Sequence, residues 1–276
     1  MRAPLLHAKL VRALETLRRS DGGFPASTVG LSEVEPTAVA ALALGGDDAA
    51  RGWLVGRQGP GGGFVGADGR VEGPTTAALA SLALERPAAR RALRFAVAQR
   101  GLPLPGANDP RPRGWGWTAD TRSFVEPTAR VLIAAKRLTP GDRRLAAEGT
   151  GLLEEWQCSD GGWNHGVSSV LDAELPGYAQ TTAIALVALQ GENAPFVRRG
   201  LSFLRRSWPR EPGAMTTAQA MIAFRLHAVA GELESGFASL GPMMRRPSFL
   251  ERPVAVAWAA LATGPDELLD SLRAAS

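Results

Sequence analysis

The chain has 276 residues, 45% of them hydrophobic and 21% charged, a composition typical of a globular protein and unlike that of a disordered one. No apolar run approaches the ~18 residues that a membrane span requires. The first residues, MRAPLLHAKLVRALETL, carry charges and lack a signal-peptide cleavage site. Together with the single cysteine, Cys158, this predicts a cytoplasmic protein.

The charge balance gives no sign of a nucleic-acid partner. The chain carries 31 basic and 27 acidic residues, for a formal net charge of +4. Pairs of arginines occur, but each lies beside an acid or within a helical pattern. Nucleic-acid binding needs a continuous basic stripe with interleaved aromatic residues. We therefore expect no nucleic-acid partner.

Two kinds of predicted helix alternate along the chain. The first kind is amphipathic and rich in arginine, with apolar residues three and four apart. These helices are predicted over residues 5–19, 47–58, 87–100, 142–157, 194–207 and 231–240. The second kind is rich in alanine and apolar on nearly every side. Because a helix without a polar face is buried all round, these six helices should lie inside the six amphipathic ones.

A short signature marks the start of each alanine-rich helix. It is clearest at Glu35–Ala38, Gly73–Thr76 and Glu126–Ala129, and weaker over 180–183, 215–218 and 252–255. Proline suits a first helical turn, the threonine can accept from a free N–H, and a preceding glutamate complements the helix dipole.

Six such copies predict an all-α fold, an (α/α)6 barrel or toroid of six helical hairpins with an inner ring inside an outer ring. We expect a single domain over residues 1–276, with residues 266–275 as an extra helix on the outside.

A second signature follows the outer helices. It reads Asp21–Phe24, Gly61–Phe64, Arg113–Trp117 and Gln157–Trp163, with glycine pairs before an aromatic residue. Glycine allows the positive φ that ends a helix and reverses the chain, and the aromatic ring can cover the turn. A glutamine at the helix end, such as Gln58 or Gln157, can hydrogen-bond to the next turn. We interpret this signature mainly as structural.

These repeats resemble those of the squalene-hopene cyclase and protein prenyltransferase β-subunit superfamily. The segment from Gln157 to Trp163 is similar to its Q-x-x-D-G-G-W element, and the segment from Trp117 to Ala129 is similar to its W-x-E-P-T-type helix start. The likeness covers nearly the whole chain, most clearly residues 15–190. The resemblance implies a terpenoid cyclase-type α/α toroid whose apolar lumen binds an isoprenoid, with acid-catalysed cyclisation as one associated reaction.

The motifs that divide this superfamily by reaction are missing or altered. The D-x-D-D acid of class II cyclases and the D-D-x-x-D magnesium cluster of class I synthases do not occur. Prenyltransferases hold zinc with an aspartate and a cysteine two residues apart and a distant histidine. Here Cys158 and Asp160 appear in reversed order, with His165 close behind. A lone cysteine in a glycine turn is more often packing, so we predict no metal and no cofactor.

Loop lengths place the expected site at one end of the barrel. The loops that lead into the inner helices, residues 20–34, 59–72, 101–125 and 158–178, are long, and those that leave them are short. We call the end where the inner helices begin the mouth. Loops carry function, and the free N–H groups of six helix starts favour an anion there.

Candidate residues are the polar and aromatic positions near this mouth. Arg130 and Gln219 share a repeat position, and a buried arginine should pair with a carboxylate, here Glu126 or Asp120. A carboxyl among tryptophans can serve as a general acid. The predicted catalytic residues are Glu126 and Asp120. The predicted substrate-binding residues are Trp115, Trp117, Trp163, Tyr178, Arg122, Arg130 and Gln219.

Three classes of function remain open. The first is a terpenoid cyclase-like or prenyltransferase-like enzyme acting on an isoprenoid. The second is a non-catalytic barrel that binds an isoprenoid, another lipid or a partner protein, with a peripheral membrane contact also open. The third is a carbohydrate-active barrel with a carboxylate pair, which a chain with one tyrosine disfavours. The small residues of the inner helices either fill the barrel or leave room for an apolar ligand.

Overall fold

A computed structural model describes residues 3–102, 113–166, 168–170, 173–211 and 213–275. Parts of two mouth loops, residues 103–112 and 171–172, therefore lie outside the described residues. The inner helices are α2 (Val34–Ala43), α4 (Pro74–Ala83), α6 (Val125–Leu138), α8 (Ala179–Ala188), α10 (Ala214–Leu226) and α13 (Pro253–Thr263). The outer helices are α1 (Ala3–Thr16), α3 (Asp48–Arg57), α5 (Arg86–Ala98), α7 (Arg143–Glu155), α9 (Pro195–Ser207) and α11 (Leu233–Met243). Two short helices, α12 (Pro247–Leu250) and α14 (Asp266–Leu269), flank α13.

The six inner helices form a closed ring. Each contacts the next in the order α2, α4, α6, α8, α10 and α13, and α13 packs back against α2. The outer helices pack on the ring in turn, and the first helix, α1, packs on α13 at the end of the chain. The all-α toroid of six hairpins predicted from the repeats is confirmed.

Burial follows the two predicted helix types. Nearly every residue of α2, α8 and α13 is buried, whereas an outer helix such as α9 buries one face and exposes its arginines. No helix within the described ranges is long and apolar enough to cross a membrane.

Two small hairpins lie in the mouth loops. Strand β1 (Phe24–Pro25) pairs with β2 (Ser32–Glu33), and β3 (Ser169–Val170) pairs with β4 (Ala173–Glu174), both antiparallel.

The glycine turns are held by the side chains that precede them. Asp160 accepts from the backbone N–H groups of Gly162 and Gly177, at 2.9 Å each. The side-chain amide of Gln157 donates to the carbonyls of Gly161 and Phe196, at 2.8 Å each. It therefore links two successive repeats. The predicted structural role of these signatures agrees with this geometry.

The threonine of the helix-start signature does not cap the helix. Helix α2 begins at Val34 and α6 at Val125, so Thr37 and Thr128 lie inside the first turn. Their hydroxyls instead accept from the backbone N–H groups of Phe24 at 2.9 Å and Trp115 at 3.2 Å. These two threonines therefore bind α2 and α6 to the glycine turns packed against them.

The C-terminal segment closes the end of the barrel opposite the mouth, and the prediction of an outside helix is wrong. Only residues 266–269 are helical, and the chain then crosses the far end of the inner ring. Leu269 and Leu272 are buried there. The Gln190 amide donates to the carbonyl of Leu272 at 2.8 Å, and the N–H of Ala275 donates to the carbonyl of Lys136 at 3.1 Å.

Candidate functional site

The lumen-facing positions can be read from the threonine contacts. The hydroxyls of four signature threonines (Thr37, Thr75, Thr128 and Thr182) contact the glycine turns outside the inner ring. A residue two positions later on a helix points about 200° away, toward the barrel axis. This level of the barrel contains Val39, Ala77, Arg130, Ile184, Gln219 and Val256. All six are buried, the most exposed being Arg130 at 4%.

The lumen is filled below this level. One turn further, the axis is lined by the small residues Ala43, Ser81, Ala134, Ala188, Ala223 and Ala260, each exposed by 1% or less. The small side chains thus bring the inner helices together and leave no room for a ligand. The packing at these two levels favours a ligand bound at the mouth over the predicted isoprenoid deep inside the lumen.

Arg130 is held by two carboxylates from different helices. Its Nη2 donates to Glu126 Oε1 at 2.7 Å, one turn earlier on α6. Its Nη1 lies 2.8 Å from Glu35 Oε1 on α2, the next helix but one around the ring. The predicted pair with Glu126 is present, and Glu35 is a second partner that sequence reasoning did not foresee.

This ion cluster closes one half of the mouth. Burial alone would lower the pKa of Arg130, but the attraction of Glu35 and Glu126 outweighs it and raises the pKa, so the guanidinium stays charged. The Trp117 ring covers it at 6.0 Å. A general acid must have a proton to donate, and Glu126 is engaged as the anionic partner of this cation. The geometry therefore does not favour Glu126 as an acid.

Asp120 and Arg122 lie away from this cluster. Asp120 is exposed in a turn where its φ is +61°, and it is not one of the carboxylates that contact Arg130. The Arg122 guanidinium lies over the Phe124 ring at 4.7 Å and is exposed at the mouth surface. In the described part of the chain, neither side chain has a hydrogen bond or ion pair with a buried polar group.

The four aromatic candidates divide into two pairs. Trp115 and Trp163 are fully buried, and their indole N–H groups donate to the carbonyls of Val97 at 3.4 Å and Leu153 at 2.6 Å. They pack between the two rings, so the expectation that they line the mouth is corrected. Trp117 and Tyr178 are 40% and 42% exposed, and both lie at the mouth.

Gln219 is the second polar residue that faces the barrel axis. It is 1% exposed, and both atoms of its amide lack a hydrogen-bond partner among the described residues. It lies on α10 one turn below Met215, directly beneath the mouth. A buried amide without partners is rare in folded proteins, so a polar group or a water molecule is expected to reach this point.

The Cys158, Asp160 and His165 set does not form a metal centre in the part of the chain that is described. No group of three or more His, Cys, Asp or Glu side chains there is arranged to hold an ion. Both Asp160 oxygens already accept backbone N–H groups. Burial raises the pKa of the Cys158 thiol, which disfavours the thiolate that zinc requires.

The other half of the mouth contains a cavity of about 710 Å³, which we call the mouth cavity. Gln180, Met215 and Arg252 line it from the starts of α8, α10 and α13. Each stands two residues before the signature threonine or its equivalent, the same repeat position as Glu35 and Glu126. The remaining lining residues are Ala26, Ser27, Gly213, Ala214, Thr216, Met243, Arg246, Ser248, Phe249, Val254 and Ala255.

The charge of the mouth cavity is positive. Arg246 and Arg252 line it, and none of its lining residues within the described ranges is a carboxylate. Neither arginine forms an ion pair with any carboxylate of the described ranges. The apolar surface of Met215, Phe249 and Val254 lies beside these two guanidinium groups. A cavity of this size and composition suits a small molecule with an apolar body and an anionic end.

Sequence reasoning missed three residues of the mouth. Arg252 could have been found, because alignment of the six repeats places it at the position of Glu35. Arg246 lies in the segment that leads into the last inner helix, which the loop pattern places at the mouth, but no repeat position singles it out. Glu72 is half-buried beside Asp68, Glu33 and Glu35, and burial together with these like charges raises its pKa.

No known protein-family model matches the chain, and no curated protein is similar to it. Solved structures do share its fold. Type II terpene cyclase MstE from Scytonema superposes with a TM-score of 0.59 and 18% identity, over 89% of this chain and 79% of that one. The chain has the α/α toroid fold of terpenoid cyclases.

Two further structures show how widely this toroid is used. A protein from Actinoplanes superposes with a TM-score of 0.56 and 21% identity, over 89% of this chain and 82% of that one. The third structure is an inactive variant of the α-1,6-mannanase GH76A of Salegentibacter sp. in complex with α-1,6-mannotriose. It superposes with a TM-score of 0.62 and 10% identity, over 99% of this chain and 100% of that one. At these identities the likeness concerns the fold alone.

Proposed function

We propose that the protein binds an isoprenoid or similarly apolar small molecule with an anionic end, in the mouth cavity. The observation that carries this proposal is that Arg246 and Arg252, which form no ion pair with a described residue, lie beside the apolar wall of Met215 and Phe249. A diphosphate or carboxylate would face the guanidinium groups, and the hydrocarbon would lie along the wall. The terpene cyclase fold supports an isoprenoid as the apolar part.

The proposal is for binding rather than for cyclisation inside the barrel. Cyclisation of an isoprenoid needs a closed apolar chamber and an acid aimed into it. Here the barrel axis is filled by alanines and Glu126 is paired with Arg130. The second of the three classes, a non-catalytic barrel that binds an isoprenoid, fits this packing best.

A carbohydrate-active enzyme is the second candidate. Glu35 and Glu126 approach one guanidinium from two helices beside exposed Trp117, and glycoside hydrolases use paired carboxylates. The mannanase shares the toroid. Both carboxylates are engaged by Arg130, however, and this disfavours hydrolysis. Release of reducing sugar from an α-1,6-mannan would overturn the binding proposal in favour of this candidate.

The test is a calorimetric titration with geranylgeranyl diphosphate and with geranylgeraniol. We expect saturable binding of the diphosphate and weaker binding of the alcohol. The double variant Arg246→Gln/Arg252→Gln should weaken diphosphate binding by about tenfold or more and alter binding of the alcohol little. Arg94→Gln, an exposed arginine on α5, is the matched control. Absence of binding by either compound, or unchanged affinity in the double variant, would show the proposal to be wrong.

A further inference from the structure

We propose that a groove on the outside of the barrel, between α1 and α11, is the docking site for an acidic amphipathic helix of a partner protein. The groove holds a cavity of about 730 Å³, and we call it the outer groove. It is lined by residues of the outer ring and shares no residue with the mouth cavity. The proposal therefore stands or falls independently of ligand binding at the mouth.

The floor of the outer groove is unusually apolar for the outer ring. Phe237, Pro242 and Met244 line it, all from α11 or the residue after it. Helix α11 carries a single charged residue, Glu234, in its sequence LESGFASLGPM. The outer helices α5 and α9 carry four arginines each. An outer helix without a charged face is typical of one that another surface covers.

The walls of the outer groove are positively charged on both sides. Lys9 and Arg12 lie one turn apart on α1, and Arg245 follows the end of α11. Among the residues that the structure describes, no carboxylate lines the groove. In the residues that the structure covers, none of the three cations forms an ion pair. An occupant with negative charges along its flanks would pair with all three.

The shape of the groove favours a helix. Helix α1 packs closely on α13 and α11 on α10, but the two outer helices contact each other only weakly. A third helix can lie between them with its apolar face on Phe237 and Met244, as in helix-in-groove recognition. A symmetric dimer of this chain would bring Lys9, Arg12 and Arg245 against the same cations. The occupant is therefore a different, acidic chain.

The first experiment uses a synthetic helical peptide of about four turns, with leucines three and four residues apart and glutamates on both flanks. Its twin carries lysines in place of the glutamates. We expect the glutamate peptide, followed by fluorescence anisotropy, to bind the intact protein at least about tenfold more tightly than the lysine peptide. The triple variant Lys9→Glu/Arg12→Glu/Arg245→Glu should reverse this preference. Arg90→Glu/Arg94→Glu/Arg198→Glu, which changes exposed arginines elsewhere, should keep it.

The second experiment locates the bound peptide. The native Cys158 is buried, so Ala238→Cys introduces one accessible thiol in the groove lining. Saturating glutamate peptide should slow its reaction with a thiol reagent by about tenfold, while an exposed Ser202→Cys on α9 should react at its usual rate. An unchanged preference in the charge-reversed variant, or an unprotected Ala238→Cys thiol, would overturn the proposal. Protection by a fatty-acid anion but by neither peptide would overturn it as well, and would indicate a small-molecule groove.

Discussion

The Arg130 guanidinium is a buried cation whose position depends on two carboxylates from separate helices. Its side chain is 5% exposed, with Glu126 Oε1 and Glu35 Oε1 within 2.8 Å. The two ion pairs together offset the free energy that is lost when the Arg130 guanidinium is removed from water. The pair with Glu126 could be predicted, because residues four apart meet on a helix. The pair with Glu35 could not, since it depends on how α2 and α6 face the same axis.

Arg130→Met should destabilise the protein by about 3 kcal/mol, because it leaves two carboxylates at the mouth without their cation. The measurement is the free energy of unfolding from urea titration. The triple variant Arg130→Met/Glu35→Gln/Glu126→Gln removes the stranded charges and should recover most of the loss. A cost below about 1 kcal/mol for Arg130→Met would mean that the cluster is a weak surface contact.

Glu72 gives a pH-dependent prediction. Its pKa is raised in the folded protein by burial and by the charges of Asp68, Glu33 and Glu35. Above the folded pKa, the charged carboxylate therefore lowers stability, and this penalty disappears as the pH falls and Glu72 is protonated in both states. Glu72→Gln should raise the melting temperature at pH 7 and leave it nearly unchanged at pH 4. An equal gain at both pH values would contradict the electrostatic explanation.

The hydrophobic pattern predicts the twelve barrel helices, because each inner helix is surrounded by protein and each outer helix has one face on the inner ring and one in water. Helix α2 is apolar all round and buried all round, and α9 has one apolar stripe and one buried face. The sequence predicts that Thr37 and Thr128 accept from a free N–H of their own helix, whereas they accept from a neighbouring turn. The local sequence is the same in both cases, so it cannot distinguish them.

The glycine turns give a prediction with a matched control in the same loop. Gly62 has a φ of +94°, and a Cβ there would lie 2.2 Å from the carbonyl oxygen of Arg91 on α5. Gly62→Ala should therefore destabilise the protein by about 2 kcal/mol or more. A Cβ on Gly61 meets no atom within 4 Å. Gly61→Ala should change the melting temperature little, and similar effects of the two variants would show that the turn tolerates rearrangement.

In the whole molecule, the two ends of the barrel are covered by different parts of the chain. Arg130 and its partners cover half of the mouth, and residues 266–275 cross the opposite end. Their leucines cover inner-ring surface that would otherwise contact water. The C-terminal segment is thus part of the barrel, although its sequence predicts an extra helix on the outside.

Deletion of residues 266–276 should lower the free energy of unfolding by about 3 kcal/mol or more, because it exposes the surface beneath Leu269 and Leu272 and removes the Gln190 contacts. Binding of a hydrophobic dye at the newly opened end should increase. A deletion variant with native stability and no additional dye binding would show that the segment does not close the barrel.

The sequence by itself determined the repeat architecture. Six copies of one signature and the alternation of two helix types are local patterns, and an (α/α)6 barrel is the arrangement that buries six wholly apolar helices inside six amphipathic ones. The pairing of Arg130 with a carboxylate follows equally from sequence, because a buried charge requires a partner.

How the barrel interior is packed depends on tertiary contacts that the sequence does not show. Alanines along an inner helix permit either a wide lumen or close helix packing, and the choice depends on the distance between helices on opposite sides of the ring. Here residues such as Ala134 and Ala223 are wholly buried, as close packing requires. The same packing places Arg246 and Arg252 beside one cavity, because the positions of loops around a ring depend on long-range contacts that no local pattern encodes.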